Sequence, residues 1–442
     1  LLLHAVRGDG PELDQTGRIL EMKSRFFVLF MCLLATVAIV GCDLFGKDDD
    51  DSVLTGSTGN ITGKVLDSAV TTTGVVATVT DGNQTTTSAG DGTFTLNNVT
   101  IGSDGKVKLT VTNSNYLTGY AFEPVSSGMT TTTNVYLVSK AGSDKKTPAN
   151  LTVAGEELAF PSSVKINFPK NSVVDKDGNA VAAPEISVIY KAPAKTAASL
   201  DPFPGVFAGV PTNGTTEVPF ETFGFVNIDL GEGNSLNPAI GASLTIPLGA
   251  NNPTTGAYSL AMPLWRFDAN DGKWKQVATA TRADTNAATP FSAHVTTFSW
   301  YNLDAPVNVS RLDVVVASYT STLVEWQIME GTATDTSRTD MSKRIAGAKV
   351  VVTATAESAD ADSSWATQAY DDTNNFTWKE TKLTDANGVA SFNIPTNRKF
   401  SIKVTTSTHS KSGYMYEVEN GVATAYINMG SFTGHHGTEP VD

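Results

Sequence analysis

The chain has 442 residues, with 31 Lys and Arg against 45 Asp and Glu and a formal net charge of −14. The acid surplus excludes the basic stripe that a nucleic-acid backbone needs, so nucleic acid is not an expected partner. Two cysteines and five histidines exclude a disulfide scaffold and nearly every Cys/His metal framework, and 40% hydrophobic residues suffice for the cores of about three domains.

Residues 1–21 carry no initiator Met and no core pattern, and are predicted to be an extension upstream of the native start. From Met22 the chain reads as an export signal, residues 22–41. Lys23 and Arg25 precede an uncharged run over 26–40, which is shorter than the ~20 residues needed to span a bilayer. The run ends in Ile39-Val40-Gly41-Cys42, which resembles the lipobox of bacterial lipoproteins. The resemblance implies cleavage between Gly41 and Cys42, diacylglycerol on the Cys42 sulfur, and a membrane partner reached through that lipid. Several acyl chains are needed because one chain anchors only weakly. Cys32 would leave with the signal. Residues 42–59, with Asp48 to Asp51 followed by Ser, Thr and Gly, read as an acidic flexible tether.

Beyond Cys42 no helical stripe is sustained. Val, Ile, Leu, Phe and Thr recur at period two, interrupted by Asp-Gly and Asn-Gly turns, so the expected class is all-β, built as tandem β-sandwich domains. The first unit is placed at 60–140. Ile61, Gly63 and Val65 open it, Val75, Ala77 and Val79 follow, and the turn Gly90-Asp91-Gly92-Thr93-Phe94 feeds a strand with Phe94 and Leu96 inward. The order of these segments resembles the carboxypeptidase regulatory-like domain, which implies a transthyretin-like sandwich of seven strands. No peptidase activity follows: a zinc carboxypeptidase needs two His and a Glu on the metal, and no His lies between Cys42 and His294.

The second unit is placed at 147–304. A hairpin is predicted where 263–268 meets 272–277 across Ala269-Asn270-Asp271. The segments FPKNSVVDKDGN, LWRFD and HVTTFSWYN resemble the β ectodomain of the FAM171 membrane proteins and cartilage intermediate layer proteins. That resemblance implies an extracellular binding role and supplies no catalytic residues. The third unit is placed at 310–432. Its Asp385 to Phe392 segment repeats the Asp-Gly-x-Phe logic of the first unit, so it reads as a diverged copy with an insertion around Trp365 to Trp378; residues 433–442 form a tail.

Candidate chemistry is sparse. Asp175, Asp177 and Asn179 alternate like cation ligands, but Gly178 is misplaced for a calcium loop and no bidentate Glu follows, so a turn is expected. Asp268, Asn270 and Asp271 read the same way. Ser292 and His294 share a strand face without a nucleophile elbow or an oriented acid, and His435 and His436 alone make a weak metal site. No metal, cofactor or catalytic residue is therefore expected. Trp265 and Trp274 are read as core aromatics or as a stacking platform, and Trp365 and Trp378 as aromatics exposed in an insertion. The resulting expectation is a non-catalytic, lipid-anchored envelope protein, on the outer membrane or cell surface. Its sandwiches would form a rod displaying loops for adhesion or for protein or glycan binding. The alternative is a structural spacer with no ligand of its own.

Overall fold

A computed structural model describes residues 57–194, 197–248, 258–286, 288–318, 326–330, 344–355, 376–396, 398–415 and 421–430. Among them the protein is all-β. The first sheets come from β1 (Thr58–Asp67), β2 (Thr78–Thr80), β3 (Thr85–Thr87), β4 (Thr93–Thr100), β5 (Lys106–Thr112), β6 (Gly119–Pro124) and β7 (Thr130–Leu137). One sheet has the order β4-β1-β7 and the other β3-β2-β5-β6. Alternation explains the packing. Ile61, Val65, Phe94, Leu96, Val107, Leu109, Val135 and Leu137 point into one core, and the intervening Thr, Lys and Asn residues point out.

The middle of the chain supplies β8 (Asp144–Lys146), β9 (Glu156–Ala159), β10 (Lys165–Phe168), β11 (Val173–Val174), β12 (Ile186–Lys191), β13 (Ala208–Val210) and β14 (Val218–Asp229). It continues with β15 (Ser235–Leu236), β16 (Ala242–Ile246), β17 (Ala261–Asp268), β18 (Lys273–Thr281), β19 (Phe291–Val295) and β20 (Trp300–Pro306). Except for the small β11-β15 pair, all of these join one sheet of eleven strands. The hairpin expected from sequence is β17-β18, antiparallel with Phe267 opposite Trp274. A bulge falls between Leu264 and Trp265, and both are buried because the strand is covered on both faces: Leu264 lies in one core with Tyr301 and Leu303, Trp265 in the other with Trp274 and Phe225. Within this sheet β14, β20, β17, β18 and β13 pair successively and return to β14, closing a five-stranded ring. Gly209 of β13 permits the closure, because a Cβ there would lie 2.6 Å from the Trp265 ring and 3.0 Å from Phe220.

The last sheets use β21 (Val309–Ala317), β22 (Trp326–Glu330), β23 (Lys349–Thr355), β24 (Phe376–Leu383), β25 (Val389–Pro395), β26 (Phe400–Thr405), β27 (Ser410–Met415) and β28 (Val422–Asn428). Their orders are β22-β28-β21-β25 and β24-β23-β26-β27. Without β22 this is the topology of the first sandwich: β21 pairs β25 antiparallel and β28 parallel, as β1 pairs β4 and β7.

The sandwiches are not strung out as separate beads, which corrects the rod. All the described residues belong to one compact unit. One continuous core runs from Trp265, Trp274 and Phe225 of the middle sheet to Val350, Phe392 and Ile402 of the last sandwich, with Leu117 and Val138 also in it. Glu221 of β14 is 3% exposed at its side chain, and Arg398 of the last sandwich grips it with two nitrogens at 2.8 and 3.1 Å. Lys349 of β23 pairs with Glu123 of β6 at 2.8 Å, so the first and third sandwiches touch directly. Period-two patterns locate strands but carry no information on contacts between sandwiches, which is why a series of sandwiches read as a rod.

Candidate functional site

The aromatics singled out from sequence are core residues wherever the structure describes them. Trp265 is fully buried and donates its indole N–H to the Asp304 carbonyl at 3.1 Å. Trp274 is equally buried, donates to the Pro204 carbonyl at 2.8 Å, and stacks on Phe203 with ring centroids 4.9 Å apart. Neither has a face left for a sugar ring. Trp378 does not lie in a loop: it stands on β24 opposite Ala354 and is 2% exposed. Trp365, Gly41, Cys42, His435 and His436 lie outside the described residues.

The acidic turns close on themselves. The Asp175 carboxylate accepts from the Asp177 N–H and from the Asn179 N–H, each at 2.9 Å, and the Asn179 bond in particular holds it below the usual carboxylate range. Lys275 sits between Asp268 and Asp271, at 2.7 and 2.8 Å, and that contact lowers Asp268. Among the described residues no group of three His, Cys, Asp or Glu side chains is placed to hold a metal ion. Ser292 and His294 lie on the exposed face of β19, where the Ser292 hydroxyl meets Thr245 at 2.7 Å. No helix among the described residues is long and apolar enough to cross a membrane.

What the fold assembles instead is a groove of about 730 Å³ between the first and third sandwiches, within the ~300–1,000 Å³ of small-ligand clefts. One wall is the outward face of β24, β23, β26 and β27. Register lays residues across it in rows: Thr381, Val351, Lys403 and Ser412 in one, Lys379, Thr353 and Ser401 in the next. Such positions are about 4.8 Å apart across strands and about 6.8 Å apart along them. The opposing wall is β7, whose alternate residues Thr132, Asn134 and Tyr136 face outward while Val135 and Leu137 fill the core; Thr133 is buried, and its hydroxyl meets the Glu123 carboxylate at the groove.

One ion pair joins the two sandwiches across the groove, and a second ties the third sandwich to the middle part of the chain. Lys349 binds Glu123 and also donates to the Thr132 carbonyl at 3.1 Å, and Lys379 binds Asp201 at 2.6 Å. Thr353 and Ser401 share a hydrogen bond of 2.6 Å, and Thr405 and Ser410 one of 3.2 Å. Lys403 is exposed and has no ion pair among the described residues. Three lysines thus line the groove against two carboxylates, in a chain of net charge −14.

None of these groove residues was a candidate from sequence. The alternating Thr132-x-Asn134-x-Tyr136 and Ser401-x-Lys403-x-Thr405 runs do signal outward faces. Nothing in either run says that the two faces oppose one another.

No family model matches the chain, and no curated protein matches it. Among solved structures it is similar to the TIE protein of Bacillus anthracis, at 10% identity and a TM-score of 0.16, over 85% of this chain and 50% of that one. It therefore spans half the length of that protein. It is also similar to a candidate carbohydrate-binding protein of Bacteroides uniformis, at 11% identity and a TM-score of 0.16, over 55% of this chain and all of that one. The full-length major pilin SpaD of Corynebacterium diphtheriae matches at 8% identity and a TM-score of 0.15, over 84% of this chain and 97% of that one. Similarity at this level leaves the groove's ligand to be argued from its own side chains.

Proposed function

We propose that the chain is a non-catalytic binding protein of the bacterial cell envelope, anchored by lipid on Cys42, with the groove between the first and third sandwiches as its adhesive surface. The groove itself carries the reading. Its hydroxyls, amide and ammonium suit hydrogen bonding to a polar ligand, and both its carboxylates are committed to lysines instead of facing one another as an acid–base pair. The ion pairs Lys349–Glu123 and Lys379–Asp201 organise the surface in advance, which lowers the entropy cost of binding. The tether predicted at 42–59 would hold this surface clear of the membrane.

The test is retention of the full mature chain on immobilised envelope glycans and matrix proteins, compared with Ser401→Arg, which fills the groove. Loss of retention in a variant that melts normally is expected. Retention unaffected by Ser401→Arg would remove the groove from the account. The anchor is tested separately with a clickable fatty acid: label is expected on the wild type and absent from Cys42→Ser, and an unlabelled wild type would overturn it.

A further inference from the structure

We infer that the groove takes an acidic polysaccharide, with Lys403 reading the anionic group of one sugar; this rests on the reading of the groove as the binding surface. Sugars offer hydroxyls in close succession, each a donor and an acceptor, and an apolar ring face. The groove offers the same chemistry in reverse. Ser401, Ser412 and Thr132 present hydroxyls that exchange donor and acceptor roles by rotation, and Asn134 adds an amide. Tyr136 is half-buried beside them, an aromatic ring against which a sugar face can pack.

A peptide fits this surface less well. Peptides gain affinity from apolar anchors seated in pockets or from strand addition at a sheet edge. The apolar residues on the groove wall are Val351, which is half-buried, Ala198, which offers a single methyl, and Phe376 and Ile402, whose side chains belong to the core behind it. Lys403 and Thr353 stand on β26 and β23, each paired on both sides within its sheet; the edge strands at the groove are β7, β24 and β27, and on β7 the Thr132 carbonyl already accepts from Lys349.

Charge selects within the glycans. Lys349 and Lys379 are held by Glu123 and Asp201, whereas Lys403 stands between Val351 and Ser412 in its row with no carboxylate partner among the described residues. An ammonium on a hydroxyl-lined floor binds a carboxylate-bearing sugar better than its neutral counterpart, because a hydrogen bond to a charged group is the stronger kind.

Affinity electrophoresis of the full mature chain through gels containing polygalacturonate, or its methyl ester, tests this. The wild type is expected to be retarded about tenfold more strongly by the free acid than by the ester. Lys403→Gln is expected to erase that difference, Tyr136→Ala to weaken both, and Lys64→Gln, a change at an exposed lysine outside the groove, to do neither. Equal retardation by acid and ester, unaltered by Lys403→Gln but lost in Ser401→Arg, would overturn the acidic ligand and leave the groove standing. Retardation by neither polymer would overturn the inference, and the Ser401→Arg retention experiment then decides the groove independently.

Discussion

Ser88 and Thr384 occupy equivalent corners of the first and third sandwiches and make the same two bonds. The Ser88 hydroxyl accepts from the Ala77 N–H at 2.8 Å and donates to the Val75 carbonyl at 2.7 Å. The Thr384 hydroxyl accepts from the Ala348 N–H at 2.9 Å and donates to the Ile345 carbonyl at 2.6 Å. The next turn is also shared. Ala89 bonds the Thr93 carbonyl and Asp385 the Val389 carbonyl, each at 2.8 Å. Gly92 and Gly388 follow at φ +82° and +69°, and a Cβ on either would strike the carbonyl oxygen of Val65 or Val316, at 2.2 or 2.8 Å.

Because both hydroxyls are buried, removing either leaves a backbone N–H and a carbonyl unpaired inside a sandwich. Ser88→Ala and Thr384→Val are each expected to cost about 1–3 kcal/mol, and Thr384→Ser less. Urea unfolding measures this; a Thr384→Val midpoint equal to that of the wild type would contradict the assignment.

Trp274 is expected to matter for stability and not for binding. Its ring packs among Phe203, Phe267 and the chain around Pro204. Trp274→Ala should cost about 3–5 kcal/mol through the cavity it leaves. Its ligand retention, scaled to the folded fraction, should equal that of the wild type; a selective loss of retention would return the indole to the binding site.

The repeat of Asp91-Gly92 logic at Asp385 to Gly388 was legible because the turn requires particular residue types in a short span. The hairpin at Asp268 to Lys273 was legible for the same reason. Burial of Trp378 was not, since an aromatic beside an insertion looks alike in a loop and on a strand. The groove was hidden for a different reason: Lys403 and Asn134 lie far apart in sequence, and each outward face alone looks like ordinary solvated sheet. The five-stranded ring escaped because β13 is three residues long, too short for period two to show.

Glu221 and Arg398 join the middle sheet to the last sandwich, with Thr377 donating to the same carboxylate at 3.2 Å. Removing Arg398 strands the Glu221 carboxylate, which is 3% exposed, so Arg398→Ala is expected to cost about 3–5 kcal/mol, and Glu221→Ala less because the Arg398 side chain is partly exposed. Replacing both at once, as Glu221→Leu with Arg398→Met, should recover much of that loss. Thermal melts decide it, and single variants that melt with the wild type would show that the pair does not hold the joint.

Asp304 sets a pH dependence of the opposite sign to an ordinary ion-paired carboxylate. It is fully buried, the Asn302 amide donates to its Oδ2, and Thr222 in turn donates to the Asn302 oxygen at 2.7 Å. Its Oδ1 has no hydrogen-bond partner among the described residues. Burial pushes its carboxyl well above the usual range, against the pull of those two neighbours. The folded state therefore keeps a proton that the unfolded chain releases above about pH 4. The stability from this group is complete below that value and is lost as pH rises towards the folded-state pKa, by at most about 1.4 kcal/mol per pH unit. Asp268, lowered first by Lys275, works the other way: its contribution is present above the ordinary range and disappears as pH falls. Burial raises Glu380 in the same sense as Asp304, so Asp304→Asn removes only one share of the slope. Denaturant unfolding across the acid-to-neutral range should give a flatter profile for Asp304→Asn than for the wild type, with the variant gaining relative stability as pH rises. Parallel profiles would mean that Asp304 is ionised in the folded protein.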